Sequence, residues 1–164
     1  MAGQIKILNT FIHNLSMEET LFLVNETIKN KESIHHVVVN AGKIVEMQKD
    51  KQLYESVNNS DIINADGQAV VWAAKFLNKP LKERVAGIDL MENLVELAYK
   101  NNHKIYLFGA KEKVIKKVVS IYTNKYGKNL IAGYRNGYYG KDDEATIAKD
   151  IASSGANMLF VAIT

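Results

Sequence analysis

Short aliphatic runs, each followed by apolar residues at helical spacing, recur along this chain and restrict its fold more than any other feature. Residues 34–39, 62–63, 104–108, 130–134 and 158–163 read as strands, and 5–8 as a shorter one whose turn begins at Asn9-Thr10. The run at 34–39 is β-branched in the manner of a buried parallel strand. Between these runs lie segments of helical period. Ser16-Met17-Glu18-Glu19 forms a capping box, in which the serine accepts from a free amide and Glu19 reaches back, and its helix carries Leu21, Leu23, Val24 and Ile28 to about Lys29. Residues 41–49 present Ile44, Val45 and Gln48, and a short helix covers 52–57. An amphipathic segment leads to Leu77, and Asp89-Leu90-Met91-Glu92 starts a helix with Leu90, Leu94, Leu97 and Ala98 on one face. Residues 111–126 turn Val114, Val118, Ile121 and Tyr122 inward, and Asp142-Asp143-Glu144 opens a last helix to Ser153, with its acids at the positive helix end. Strands alternating with helices predict an α/β fold, a mainly parallel sheet with helices on both faces.

At 164 residues, 47% hydrophobic and 24% charged, the chain suits one domain with a sizeable core, spanning 1–164. It contains no cysteine, which excludes disulfides and thiolate metal sites. The N-terminal residues lack the pattern of a signal peptide, and no apolar run approaches the ~20 residues of a membrane span; the expected location is the cytoplasm. A net charge of +3 is too weak to argue for nucleic acid and is compatible with an anionic surface or a phosphate ligand.

Chemistry concentrates between Asp61 and Glu92. The run at 62–63 breaks at Asp66-Gly67, and a loop through Pro80 delivers Arg84 just before Gly87. A carboxylate at a strand end can serve as a general base, although Asp is also a common helix cap. A guanidinium can grip a diphosphate bidentately; Arg84 and Arg135 are the two arginines among 21 basic residues. Ligands of open α/β sheets sit outside the carboxyl ends of the strands, so Asp66 and Arg84 are expected at one mouth. Gly109-Ala110, between a strand and a helix, could offer free amides to a phosphate, and the segment 133–140, with Tyr134, Tyr138 and Tyr139, could form a lid or stack on a base. Other features read as structural. The lysines of 111–128 spread over a solvated helix face. His35 and His36 point to opposite faces of a strand and cannot chelate one metal. Asp142-Asp143 is a helix start. No metal site, nucleophilic triad or Walker loop is present in the pattern.

Three pieces in order, H-V-V-V-N-A-G-K-I-V, A-D-G-Q-A-V-V-W-A and K-E-R-V-A-G-I-D-L-M-E, resemble the WecG/TagA/CpsF glycosyltransferase family in sequence and spacing, across about residues 5–163. The resemblance implies a Rossmann-like sheet and a metal-independent inverting enzyme acting peripherally at the cytoplasmic membrane. Its reaction would move N-acetylmannosamine, or a related sugar, from a UDP donor to undecaprenyl-diphosphate-linked N-acetylglucosamine, in wall teichoic acid or surface polysaccharide synthesis. Asp66 would be the catalytic base and Arg84 would stabilise the departing UDP diphosphate. Asn40 and Gln68 would hold sugar or acceptor, and Gly109, Ala110, Asn136, Gly137 and Tyr138 would line the nucleotide pocket. No nucleic-acid partner is implied; a homo-oligomer is compatible.

The chain departs from the family pattern in three places. Val38 stands where the family often has threonine, and Asn40-Ala41-Gly42 where it commonly shows N-A-E; both bear on which sugar is bound. The family's P-K-Q-E-like segment and basic C-terminal tail, with membrane contacts and further arginines, do not follow the last strand. The chain is therefore expected to be a core fragment, able to fold but catalytically feeble. Two competing readings are an NAD-type Rossmann oxidoreductase, opposed by the missing glycine fingerprint, and a non-catalytic subunit that binds nucleotide sugar.

Overall fold

A computed structural model describes residues 3–163, so the strand-end position at Thr164 lies outside the described residues. The chain packs as two compact units, Met1–Asn93 and Leu94–Thr164.

The first unit opens with an antiparallel hairpin, β1 (Gln4–Ile7) and β2 (Thr10–His13). Helix α1 (Met17–Lys29) follows, its N-terminus closed by the expected capping box: Ser16 Oγ accepts from Glu19 N at 3.1 Å, and Ser16 N donates to Glu19 Oε2 at 2.8 Å. Strand β3 (His36–Val39), helices α2 (Ala41–Glu46) and α3 (Lys51–Asn58), and strand β4 (Ile62–Ala65) come next. β3 and β4 pair in parallel with Val38 opposite Asn64 and Val39 opposite Ala65. Helix α4 (Gln68–Phe76) ends the series, and the first half of α5 (Gly87–Lys100) belongs to this unit.

Side chains alternate across a strand, so Val39, Ile63 and Ala65 share one face of the β3–β4 pair. That face forms the core with Ile5, Ile7 and Ile12 of the hairpin, with Ile44, Val57, Val70 and Ala74 of α2, α3 and α4, and with Met47 just after α2. The opposite face is partly polar. Asn64 there is fully buried, with its Oδ1 2.8 Å from His36 Nε2 and 3.4 Å from the Thr20 hydroxyl, while its Nδ2 has no hydrogen-bond partner among the described residues. His13 adds a link between hairpin and strand pair, its Nδ1 accepting from Ile63 N at 3.0 Å.

The second unit holds a three-stranded parallel sheet of order β6–β5–β7, with β5 (Ile105–Gly109) central between β6 (Ile131–Arg135) and β7 (Met158–Ala162). Every residue of β5 is buried, as expected of a strand covered on both faces. Tyr106 and Phe108 pack against Ile147 and Ile151 of α7 (Glu144–Ser153), and α6 (Glu112–Tyr126) lies on β5 and β6. The fold is thus mixed α/β with parallel ladders in both units, as the alternating pattern predicts.

Local details differ from expectation. Thr10–His13 forms a second hairpin strand rather than a turn; four residues are too few to show a period, although Thr10 and Ile12 are fully buried. The predicted helical stretch 41–49 is α2 only to Glu46; Ile44 within it and Met47 at its C-cap are buried, while Val45 and Gln48 face out. In α6 the buried pair is Ile115 and Tyr122, and Val114 and Ile121 are about half exposed. In these helices the inward stripe is narrower than the apolar residues on the helix surface. Helix α5 begins at Gly87, which puts Asp89 within its first turn rather than at its cap.

Candidate functional site

The carboxyl ends of β3 and β4 gather most of the residues singled out in the first unit. Asp66 follows β4, and its backbone N–H donates to Val39 O at 2.8 Å, extending the ladder by one step. Its carboxylate does not cap the following helix, whose N-cap, Gly67, has no side-chain bond. Asp66 Oδ2 instead accepts from Gly87 N, the first residue of α5, at 3.2 Å. The acid therefore sits at the amide-rich end of a 14-residue helix, where negative charge is favoured.

The loop between α4 and α5 is fastened on both sides of Arg84. Leu81 and Val85 are buried, Val85 N donates to Ala65 O at 2.9 Å, and Lys82 N donates to Asn14 Oδ1 at 2.7 Å. Glu83 accepts from Met17 N, and Lys82 pairs with Glu19. These anchors hold the Arg84 backbone beside the end of β4 and leave its side chain 46% exposed, with Asp89 Oδ2 3.7 Å from the guanidinium. Such a long, solvent-accessible pair holds the guanidinium only weakly, so it can turn to an anionic ligand.

Asn40 follows β3 directly and caps α2, its Oδ1 accepting from Lys43 N at 2.9 Å. Its Nδ2 bonds nothing among the described residues. Asn40 lies next to Gly67, where an added Cβ would come within 3.5 Å of the asparagine Cβ. Gln68, the first residue of α4, is exposed. Two members of this neighbourhood escaped the sequence reading. Asp89, taken there as a helix start, is the partner of Arg84. Lys43 is half-buried with its Nζ 3.1 Å from Val38 O and no acidic partner among the described residues. Only the β3–α2 turn brings that ammonium back to the strand end.

In the second unit, Gly109, Ala110 and Gly137 form a tight backbone cluster. A Cβ on Gly109 would lie 2.1 Å from Ala162 O, and one on Gly137 would lie 3.1 Å from Gly109 Cα. The amides expected to be free at this turn are not all free: Ala110 N donates to Ala162 O at 2.9 Å, and Ala110 O accepts from Gly137 N at the same distance. Adjacent to the cluster is an open depression of about 600 Å³ lined by Lys111, Glu112, Asn136 and Tyr138. Asn136 bridges it, its Nδ2 donating to Glu112 Oε2 at 2.7 Å and its Oδ1 accepting from Tyr138 N at 2.9 Å. Tyr138 is 67% exposed, a ring accessible for stacking. Glu112 also pairs with Lys116 at 2.9 Å, and the two bonds hold its carboxyl below the usual carboxylate range, Lys116 first and Asn136 second.

The remaining polar clusters are structural. Asp143 caps the turn at Gly140 and lies 3.9 Å from Arg135. His36 bonds Asn64 while His35 Nδ1 lies 3.2 Å from Ser60 Oγ, on opposite sides of the strand. Among the described residues no group of three or more His, Asp or Glu side chains is placed to hold a metal ion, and no helix is long and apolar enough to cross a membrane.

Both units are parallel α/β, with polar side chains collected at the carboxyl ends of β3 and β4 and at the turn after β5, the edge at which open α/β sheets as a class hold ligands. Residues 5–164 match the Glycosyl transferase WecG/TagA/CpsF family, and the chain belongs to it. It is 38% identical over 115 residues to the N-acetylglucosaminyldiphosphoundecaprenol N-acetyl-beta-D-mannosaminyltransferase of Bacillus subtilis (strain 168), covering 70% of this chain and 44% of that protein. It is 35% identical over 111 residues to the same-named protein of Bacillus spizizenii, covering 67% and 42%. The same-named protein of Staphylococcus aureus (strain NCTC 8325 / PS 47) is 29% identical over 161 residues, covering 97% and 63%. The chain thus spans between 42% and 63% of the length of these relatives.

Proposed function

We propose that this chain carries the donor site and base of an inverting glycosyltransferase that moves N-acetylmannosamine, or a related sugar, from UDP to undecaprenyl-diphosphate-linked N-acetylglucosamine. The product would serve wall teichoic acid or surface polysaccharide synthesis, in a single catalytic core working at the inner face of the cell membrane. The activity for which the relatives are named supports the substrate class. The observation that carries the mechanism is the Asp66 carboxylate, held at the end of β4 by Gly87 N–H.

In the proposed step the acceptor hydroxyl oxygen attacks the anomeric carbon as one Asp66 oxygen takes its proton. The bond to the UDP oxygen breaks on the opposite face, and configuration inverts. Arg84 receives the charge that develops on the departing diphosphate, with no metal required in the step. Asn40 Nδ2 and Gln68 are the donors for sugar or acceptor hydroxyls. Asn136, Gly137 and Tyr138 with Gly109 and Ala110 serve the nucleotide, Tyr138 by stacking on the base.

Asp66→Asn preserves shape and the acceptor for Gly87 N–H but removes the base. Turnover of UDP-N-acetylmannosamine by the complete protein is expected to fall about 10²–10⁴-fold, with the thermal shift produced by UDP retained. Unchanged turnover refutes the base assignment. UDP at a hundredfold excess over its Kd stabilises a folded binder by roughly 2.7 kcal/mol; a shift with NAD and none with UDP would instead favour the oxidoreductase reading.

A further inference from the structure

The turn that carries Tyr138 is fastened on both sides. Before it, Gly137 N donates to Ala110 O at 2.9 Å; after it, the Tyr139 ring packs on Phe108 of β5 with centroids 5.5 Å apart. Asn136 then joins this turn to the first turn of α6, accepting from Tyr138 N and donating to Glu112. The exposed Tyr138 ring and the Glu112 carboxylate are thereby held as one unit on the wall of the same depression. An acid in the first turn of a helix, paired with a lysine four residues on, is ordinary helix chemistry. Its bond to Asn136 is not part of that chemistry and ties it to the depression.

An ionised carboxylate has about four acceptor positions. Asn136 Nδ2 occupies one on Oε2 at 2.7 Å, and Lys116 Nζ one on Oε1 at 2.9 Å, which leaves each oxygen able to accept once more. The same two bonds hold the group below the usual carboxylate range, so near neutral pH it accepts and does not donate. Lys111 lines the depression and Lys116 borders Glu112, so positive charge exceeds negative and the depression as a whole attracts an anion. Within it the carboxylate repels phosphate and selects the part of the ligand that offers neutral donors.

We propose that Glu112 is the ribose ligand of this depression, its carboxylate accepting from the 2′- and 3′-hydroxyls of a nucleotide whose base lies on Tyr138. The inference rests on the nucleotide-sugar reading above and adds to it the group that selects a ribonucleotide. A ribose presents two hydroxyl donors on adjacent carbons, matching the two oxygens that Glu112 has left. The N3–H of uracil fits less well, because it is a single donor flanked by two keto oxygens that a carboxylate repels. Asn136 and Lys116 fix the carboxylate before the nucleotide arrives, which lowers the cost of ordering it on binding.

Titration calorimetry of this chain with UDP, 2′-deoxy-UDP and N3-methyl-UDP tests the assignment. UDP is expected to bind at least about tenfold more tightly than 2′-deoxy-UDP, the worth of one hydrogen bond to a charged group, and N3-methyl-UDP to bind much as UDP does. Glu112→Ala should weaken UDP by at least that factor and bring UDP and 2′-deoxy-UDP within about twofold of each other. Glu112→Gln, which keeps an acceptor for Asn136, should give an intermediate ratio. Tyr138→Ala should weaken both nucleotides alike and leave their ratio unchanged, with far-ultraviolet circular dichroism preserved in every variant. A preference for ribose that survives Glu112→Ala overturns the proposal. So does rejection of N3-methyl-UDP with 2′-deoxy-UDP bound as well as UDP, which puts the carboxylate on the base, and so does a failure of every nucleotide to bind. ADP and 2′-deoxy-ADP separate the proposal from the transferase reading. A ribose preference lost in Glu112→Ala and seen with ADP, while UDP does not bind, supports Glu112 and refutes a uridine donor. Binding of UDP with no ribose preference refutes Glu112 alone.

Discussion

Replacing Gly109 by alanine is expected to be the most damaging single-methyl change at the turn after β5. Two penalties act together. Gly109 has φ +136°, a conformation that costs other residues about 1–3 kcal/mol. An added Cβ would lie 2.1, 2.5 and 2.8 Å from the O, C and N of Ala162, whereas relaxed C···O contacts are about 3.3 Å. Backbone atoms cannot rotate aside, so β7 must move away from β5 by roughly the ~1 Å shortfall, and the 2.9 Å bond from Ala110 N to Ala162 O is lost or stretched. Overpacking adds about 1–3 kcal/mol and the hydrogen bond about 0.5–1.5, for a total near 3–7 kcal/mol. That is a large part of the ~5–15 kcal/mol that holds a domain together. Gly155→Ala isolates the first penalty, because its φ is +73° but nothing lies within 4 Å of the added carbon; about 1–2 kcal/mol is expected there. Urea unfolding followed by circular dichroism measures both. If Gly109→Ala costs no more than Gly155→Ala, the close approach of β7 to the β5 turn is wrong.

Two further outcomes follow from the first unit. Ser16→Ala removes the acceptor for Glu19 N and should cost about 1 kcal/mol, a fall of roughly 2–4 °C in Tm for a chain of this size; an unchanged Tm would deny the capping box a role in holding α1. Burial holds the His36 imidazole below its ordinary pKa, outweighing its bond to Asn64, and His13 is lowered for the same reason. The unfolded chain then binds more protons than the native one as pH drops through about 6.5, so stability is complete above that pH and declines below it toward the lowered native pKa. The slope is at most about 1.4 kcal/mol per pH unit for His36, with less from the more exposed His13. A Tm that stays level from pH 7.5 to 5.5, or a decline equally steep in His36→Gln, would contradict this.

What the amino-acid order decided alone is what neighbouring residues settle among themselves. Alternation of β-branched runs with helical spacing was enough for the α/β class, because strand and helix periods are properties of a few adjacent residues. Ser16 and Glu19 bond within one turn, so the start of α1 was legible to the residue. The order Asn40, Asp66-Gly67, Arg84, Gly87 was visible too, and strand ends are where open α/β sheets hold ligands.

Tertiary packing decided which partner each of these groups takes. Asp66 could have capped α4; the fold instead aims it at Gly87, 21 residues away, because β4 and the start of α5 meet there. Ala110 N–H looked free until β7, more than 50 residues later in the chain, supplied Ala162 O. Ile12 and Thr10 form a strand only because a second strand and a core lie beside them. On α4, Val70 and Trp72 are equally apolar in the one-dimensional pattern, and only the position of the core shows that one is buried and the other open to solvent. Each of these outcomes depends on contacts between residues far apart in the chain, which local periodicity cannot encode.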